Sequence, residues 1–481
     1  MPTFDAIALT VQAILLVAIG LRLRGRLHAG DDFILGRRRL SAPLSVAALA
    51  MNSIPFWWLL VLVGAAFTLG LAAVWIALAL LGGVFIGGWY VAPRLRALTN
   101  VQQRGTFSEL IVGDAGENMR AIVMRSTLLI VIATLLFSCA VQLQLAAHFL
   151  EDTFSIVPIT AIILIVGVLC LSTMLAGFWT TVITDAWQII VWTIVCVVTL
   201  IAVAIAVSHS PMGATTIFRG DWFAGNTGVL TISFTLGIAF IGGDIAGQAP
   251  VLARYMACAS DVELARARLY ALLWGAIALL LSLSVGWGLR ALSDAPTIGI
   301  TAIVTSLSRS LSPNVISILS LLLLGAATIG IGNGFQTMAS HLANDLRRGG
   351  TSSSLVYCRL ALVLIVSLSA ALAIYLPYSS AQNNFDRLLF CWHALGAAFG
   401  PLLIVRLSGK RVRPGSTLGS IWSGFLLTLV FYLMPDSPGE LLERGLPFTA
   451  ALGIALSGGE RRRNPDRADR GDRTVHDRLP I

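Results

Sequence analysis

Apolar runs of about 20 residues recur from one end of this chain to the other, and a run of that length is what carries a helix across the hydrocarbon core of a bilayer. Thirteen such segments stand out, at 6–24, 42–68, 71–93, 121–148, 156–175, 180–207, 229–250, 268–289, 312–342, 355–376, 385–406, 416–434 and, shortest, 445–458. They are continuous rather than alternating, which excludes a transmembrane β-barrel. Only 12% of the 481 residues are charged and 57% are hydrophobic, too little charge to cover the surface of a soluble domain. The chain reads as an all-α polytopic membrane protein with about 13 spans.

Charge sets the expected orientation. Of the 33 basic residues only Lys410 is a lysine. With the N-terminus outside and the C-terminus inside, 28 of them fall in cytoplasmic segments and 5 (Arg219, Arg290, Arg309, Arg387 and Arg444) outside. The net charge of +9 is then a positive-inside signal rather than a nucleic-acid footprint. Arg22, Arg24 and Arg26 follow the first apolar run instead of preceding it, so that run is expected to stay as an anchor and not to be cleaved as a signal. The connections 208–228 and 290–312 are expected to hold short outer helices. The tail 459–481, rich in Arg, Asp and Pro, is expected to be disordered, basic and cytoplasmic, within reach of anionic lipid. The cysteines (Cys139, Cys170, Cys196, Cys258, Cys358 and Cys391) show neither metal spacing nor a pairing pattern and read as small apolar fillers.

Two spans look broken. Segment 42–68 carries Asn52-Ser53-Ile54-Pro55, and proline removes a backbone donor and clashes with the preceding turn. Segment 229–250 carries Asp244 among Gly237, Gly242, Gly243 and Gly247, a pattern that suits an unwound helix. A carboxylate at that depth costs about 3 kcal/mol or more, so Asp244 is read as binding an amino or cationic group or carrying a proton, in preference to merely capping the break. The interrupted spans are five apart, which points to two inverted five-helix repeats, 42–207 and 229–406, around a midplane site. The flanks are an extra N-terminal helix with a basic loop (1–41), the loop 208–228 and two C-terminal helices (407–458). The solute-facing residues are read as Asn52, Ser53 and Trp57 at the first break, Asp244 and Gln248 at the second, and Gln144 on 121–148. His341 and His393 read as hydrogen-bonded structure. No nucleophile–base pair, metal cluster or phosphate-binding loop appears, so no enzyme is expected.

Six stretches in order carry a resemblance over about residues 30 to 430. They are Asp32-Phe33-Ile34-Leu35-Gly36-Arg37; Gly70-Leu71 to Trp75; Ala92-Pro93-Arg94-Leu95-Arg96; Ala176-Gly177-Phe178 through Thr184-Asp185 to Gln188; Gly247-Gln248 with Leu252-Ala253-Arg254-Tyr255-Met256; and Trp392-His393-Ala394-Leu395-Gly396-Ala397-Ala398-Phe399-Gly400-Pro401. Together they resemble the sodium:solute symporter family, closest to its proline-permease branch. The resemblance implies a leucine-transporter-like five-plus-five inverted-repeat core with thirteen spans and the N-terminus outside. It implies secondary active transport of a small organic solute, such as an amino acid or related compound, across a bacterial cytoplasmic membrane. Solute and membrane lipid are the partners, and the only cofactor implied is Na⁺ as coupling ion.

The family's sodium ligands fall on the carbonyls of Met51, Ile54 and a residue near Ala326. Its paired hydroxyls fall on Ile329 and Gly330, with Thr328 one position off, and its inner cation-path acid falls on Asp185, which also suits a helix N-terminus. The proline branch's acid and serine become Ser53 and Pro55, its aromatic ligands Ile241 and Ile245, and its proline Ala249. A kept scaffold with altered sites therefore implies a solute other than proline and coupling to Na⁺ that is weak, or to H⁺ instead. The rival is a non-transporting or weakly transporting solute sensor on the same fold. Reporter fusions test the orientation. Fusions at Gly458 and Gly225 should report opposite sides of the membrane, and the same side for both would overturn the thirteen-span topology.

Overall fold

The computed structural model describes residues 2–102, 107–113, 116–208, 221–292, 313–345, 354–377, 381–435 and 437–461, and these are almost entirely helical. In chain order the long helices begin with α1 (Pro2–Leu23), followed after a basic turn by α2 (Ala42–Ser53), α3 (Phe56–Leu69) and α4 (Ala73–Ile86). A π-helical turn, Gly87–Val91, leads into α5 (Ala92–Gln102) and then α6 (Phe107–Val112), α7 (Glu117–Phe154), α8 (Pro158–Ala176) and α9 (Phe178–Ser208). Next come α10 (Val229–Gly243), α11 (Ala249–Ala257), α12 (Asp261–Leu292), α13 (Pro313–Asp345), α14 (Leu355–Tyr375), α15 (Ala381–Leu407), α16 (Pro414–Tyr432) and α17 (Leu441–Ser457).

Among the described residues nine helical stretches are long and apolar enough to cross a membrane. One of them, Phe56–Thr99, takes in two of the apolar segments of the sequence. Large apolar side chains such as Ile163, Ile201, Leu280 and Leu360 stand exposed on their outer faces, as lipid-facing side chains do.

Both expected breaks are present, and each has a backbone cause. In the first, Ile54 still donates to the Ala50 carbonyl at 3.0 Å, but its own φ/ψ (−126°, 81°) has left the helix. Pro55 has no N–H to continue the ladder, and helical bonding resumes with Trp58 donating to the Pro55 carbonyl at 2.9 Å. In the second, Asp244–Gly247 tightens into a 3₁₀ turn, Gln248 becomes extended, and Pro250 sits in the first turn of α11, where a missing N–H costs nothing.

The glycines near Asp244 do a different job from the one their spacing suggests. Gly237 and Gly242 remain inside α10, where they permit contact instead of unwinding. A methyl group on Gly242 would run into the Ala79 carbonyl and Gly83 on α4, so the two helices pack backbone to backbone there. The tail also differs at its start. Strand β1 (Lys410–Val412) pairs antiparallel with β2 (Gly459–Arg461), and Arg413 holds Glu460 at 2.7 Å, so order extends past residue 459. The remaining tail (462–481), the stretch 209–220 and the connection 293–312, where short helices were expected, lie outside the described residues.

Because α10 and α4 touch at Gly242, Gly242→Val should destabilise the protein by about 1–3 kcal/mol through overpacking. A lowered thermal midpoint in detergent would report it, and an unchanged midpoint would contradict the close contact.

Candidate functional site

The two breaks open onto one cavity of about 80 Å³. Met51 and Asn52 from α2, Pro55 from the first break, and Phe56 and Trp57 from α3 form one wall. Gln248, Pro250 and Val251 come from the second break and α11. The scaffold helices supply the rest: Ser138, Cys139 and Gln142 on α7, Gln188 on α9, Gly330, Asn333 and Gly334 on α13, and Cys391, Trp392 and Leu395 on α15. Among the described residues no lining side chain is charged.

The aromatic wall is organised by Trp392. Its indole N–H donates to the Ile241 carbonyl at 3.2 Å, and its ring meets the edges of Trp57 and Trp58 at 5.9 and 6.1 Å. Trp57 and Trp58 stack on each other at 4.9 Å, although neighbouring helical side chains ordinarily diverge, and of the two only Trp57 reaches the cavity. Gln248 ties the second break to α15, donating to the Trp392 carbonyl at 2.8 Å and to the Asp244 carbonyl at 3.3 Å.

Below one end of the cavity lies a buried polar cluster. Asp185 on α9 accepts from the Asn52 amide at 3.1 Å and from the Asn333 amide at 2.7 Å. Arg254 on α11 donates to the Thr181 hydroxyl at 2.9 Å and to the Asn333 carbonyl oxygen at 3.2 Å, lies 3.8 Å from the Asp185 carboxylate and covers the Phe178 ring at 4.5 Å. Four helices, α2, α9, α11 and α13, are pinned there by one carboxylate and one guanidinium whose charges offset each other. An isolated charge would be costly at this depth, and each of these two stands beside one of opposite sign, although Arg254 Nε and Nη1 find no acceptor among the described residues.

The sequence-derived site residues divide. Asn52, Trp57, Gln248 and Met51 line the cavity. Asp185 stands one hydrogen bond behind it, through Asn52 and Asn333. Ser53 is buried and hydrogen-bonds the Tyr255 hydroxyl, and Ile54 is buried beside it without lining the cavity. Gln144 faces away, its amide donating to the Ala373 carbonyl on α14 at 3.0 Å and to the carbonyl of Leu376, the residue that ends that helix, at 2.6 Å. Thr328 donates to the Gly325 carbonyl of its own helix at 3.0 Å, and Ala326 falls on the same helix, α13.

Asp244 lies behind the cavity and does not line it. Its carboxylate meets the His393 imidazole of α15 and abuts Gly396, which has no side chain to displace it. Among the cavity residues, Asn333 and Ser138 were not singled out by the sequence, and Gln188 entered only as the end of one family motif. An asparagine inside the glycine-rich run of α13 was the available signal.

The model of the sodium:solute symporter family matches residues 33–424, so the chain belongs to that family. The sodium/proline symporter of Escherichia coli (strain K12) is similar, 26% identical over 83% of this chain and 82% of that protein. The osmoregulated proline transporter OpuE of Bacillus subtilis (strain 168) is 24% identical over 83% of each. Among solved structures, a Na⁺-coupled sialic acid symporter in a substrate-bound outward-open state has a TM-score of 0.76 at 16% identity, covering 96% of this chain and 99% of that one. A nucleobase-cation-symport-1 family transporter with bromovinylhydantoin bound has a TM-score of 0.60 at 14% identity, covering 90% and 95%. The fold is thus that of the leucine-transporter-like transporters, and the protein is a multi-pass membrane transporter, not an enzyme.

The position of Asp244 makes a specific expectation. Asp244→Ala leaves the His393 imidazole buried without its carboxylate, which costs about 1–3 kcal/mol. Thermal unfolding should register that loss while the affinity of a cavity ligand stays within a few-fold. Lost binding at unchanged stability would instead put the acid in the site.

Proposed function

We propose that the protein is a symporter that carries a small organic solute through the cavity between its two broken helices, in a bacterial cytoplasmic membrane. The observation that carries this reading is that both breaks open onto the same space, a mostly apolar cavity with a few amides in its wall, each break from a different half of the chain. In lipid, non-helical backbone is tolerated only where protein or a wet cavity satisfies it, and midplane solute sites of inverted-repeat transporters are built that way. The arrangement proposed is thirteen spans with two inverted five-helix repeats, 42–207 and 229–406, the N-terminus outside and the C-terminus inside. Each of the thirteen apolar segments falls on a helix among the described residues, which supports it.

We infer further that the sodium requirement is weaker than is usual for the family. Asp185 has both carboxylate oxygens engaged by amide donors and a guanidinium alongside, so little negative charge is left for a cation. Gly330 brings no side-chain oxygen, and Thr328, which donates its proton to the Gly325 carbonyl, offers a single hydroxyl oxygen. The carbonyls of Met51, Ile54 and Ala326 with that one hydroxyl are then the remaining ligands, fewer oxygens than a sodium ion ordinarily collects. A side chain at Gly330 has room, since its first carbon would meet only the Gln142 amide oxygen at 3.6 Å.

Uptake measured across a sodium titration at fixed ionic strength tests this. The unmodified protein should show a shallow dependence, and Ile329→Ser with Gly330→Thr should steepen it. A steep, saturable requirement in the unmodified protein would show that an intact sodium site exists.

A further inference from the structure

The hydrogen bonds already made by the cavity's amides determine what those amides have left to offer. The Asn52 side-chain nitrogen donates to the Ala48 carbonyl at 2.8 Å and to Asp185 at 3.1 Å, so both of its hydrogens are used. The Gln248 nitrogen donates to the Trp392 and Asp244 carbonyls, so both of its hydrogens are used as well. These partners are themselves acceptors, which fixes the amide orientation chemically. Gln142 donates to the Ser138 hydroxyl at 3.2 Å. What Asn52 and Gln248 present to a solute is therefore carbonyl oxygen, an acceptor without charge, and Gln142, with one hydrogen given to Ser138, offers both its oxygen and its second N–H.

Two further features narrow the class. The charges nearest the cavity, Asp185 and Arg254, offset each other, so a charged solute would give up hydration with no counter-charge to meet it. Pro250 removes one amide donor from the first turn of α11, the turn that would otherwise favour an anion. The lining rings of Trp57 and Trp392 supply flat apolar surface beside the acceptors.

We propose, building on the transport reading above, that the solute is a small, flat, uncharged molecule that donates several N–H hydrogen bonds, of the lactam or ureide class. An amine or quaternary cation would also be drawn to oxygens and indoles, but it would need a net negative charge that this cavity lacks. A zwitterion would need a donor set for its carboxylate, and Asn52 and Gln248 have no N–H left to contribute to one.

The test uses the purified full-length chain in detergent, titrated calorimetrically with uracil, hydantoin, N,N′-dimethylated uracil, choline and L-proline. Uracil or hydantoin should bind saturably, and dimethylation, which removes both N–H donors, should weaken binding by about ten-fold or more. Gln142→Leu, in the cavity wall on α7, should weaken uracil or hydantoin by a similar factor while the fold, followed by thermal midpoint, holds. Preference for choline or proline, equal binding of the dimethylated ring, or no binding by either lactam would each overturn the proposal. Uptake into proteoliposomes separates this from the transport reading. If proline or choline is carried, transport stands and the solute class falls; if a lactam binds but no ion gradient moves it, the class stands and transport falls.

Discussion

A polypeptide that crosses a bilayer has to satisfy its backbone hydrogen bonds from within, and the two places where this chain does not do so as a helix organise everything else. At Ile54-Pro55 and at Asp244–Gly247 the ladder stops, and protein must surround the freed groups. The scaffold helices α7, α9, α13 and α15 do this, and the space they leave is the cavity. Trp392 and Gln248 show the method: an indole N–H caps the Ile241 carbonyl, and one side-chain amide answers two carbonyls at the second break.

The same constraint explains how the ionisable groups are placed. Asp244 and His393 are joined behind the cavity, with Gly396 leaving room for the carboxylate. Asp185 and Arg254 are joined below it through Asn52, Asn333 and Thr181. Each acid meets a group that can carry positive charge, and each pair bridges a broken helix to the scaffold. The cavity itself is left with apolar side chains, indole rings and a few uncharged amides, a lining suited to recognition by shape and hydrogen bonding rather than by charge.

Much of this was legible in the sequence. The breaks were readable because proline and a glycine-flanked acid have local backbone consequences, and Asn52, Trp57 and Gln248 reach the cavity because they sit at those breaks. The family was readable because its motifs are short and ordered along the chain. What stayed hidden depends on helix rotation and on partners distant in sequence. Asp244 marked the right turn, but which side of that turn it faces is decided by Gly396 and His393, some 150 residues away. Gln144 and Gln142 lie two positions apart on α7, about 200° around the helix axis, so only one of them can face the cavity. Asn333 became visible only once α13 was packed against α9.

The account stands on the cavity being a solute pathway and not a packing void. Site-directed thiol labelling tests this most directly. In a chain whose six native cysteines are replaced, Gln142→Cys is labelled with a membrane-impermeant maleimide in right-side-out and in inside-out vesicles. Alternating access predicts reaction from both sides, with a change in ion or solute shifting the balance between them. A position 142 that stays unreactive from both sides, or reacts from one side alone under every condition, would contradict a transport pathway through the broken helices.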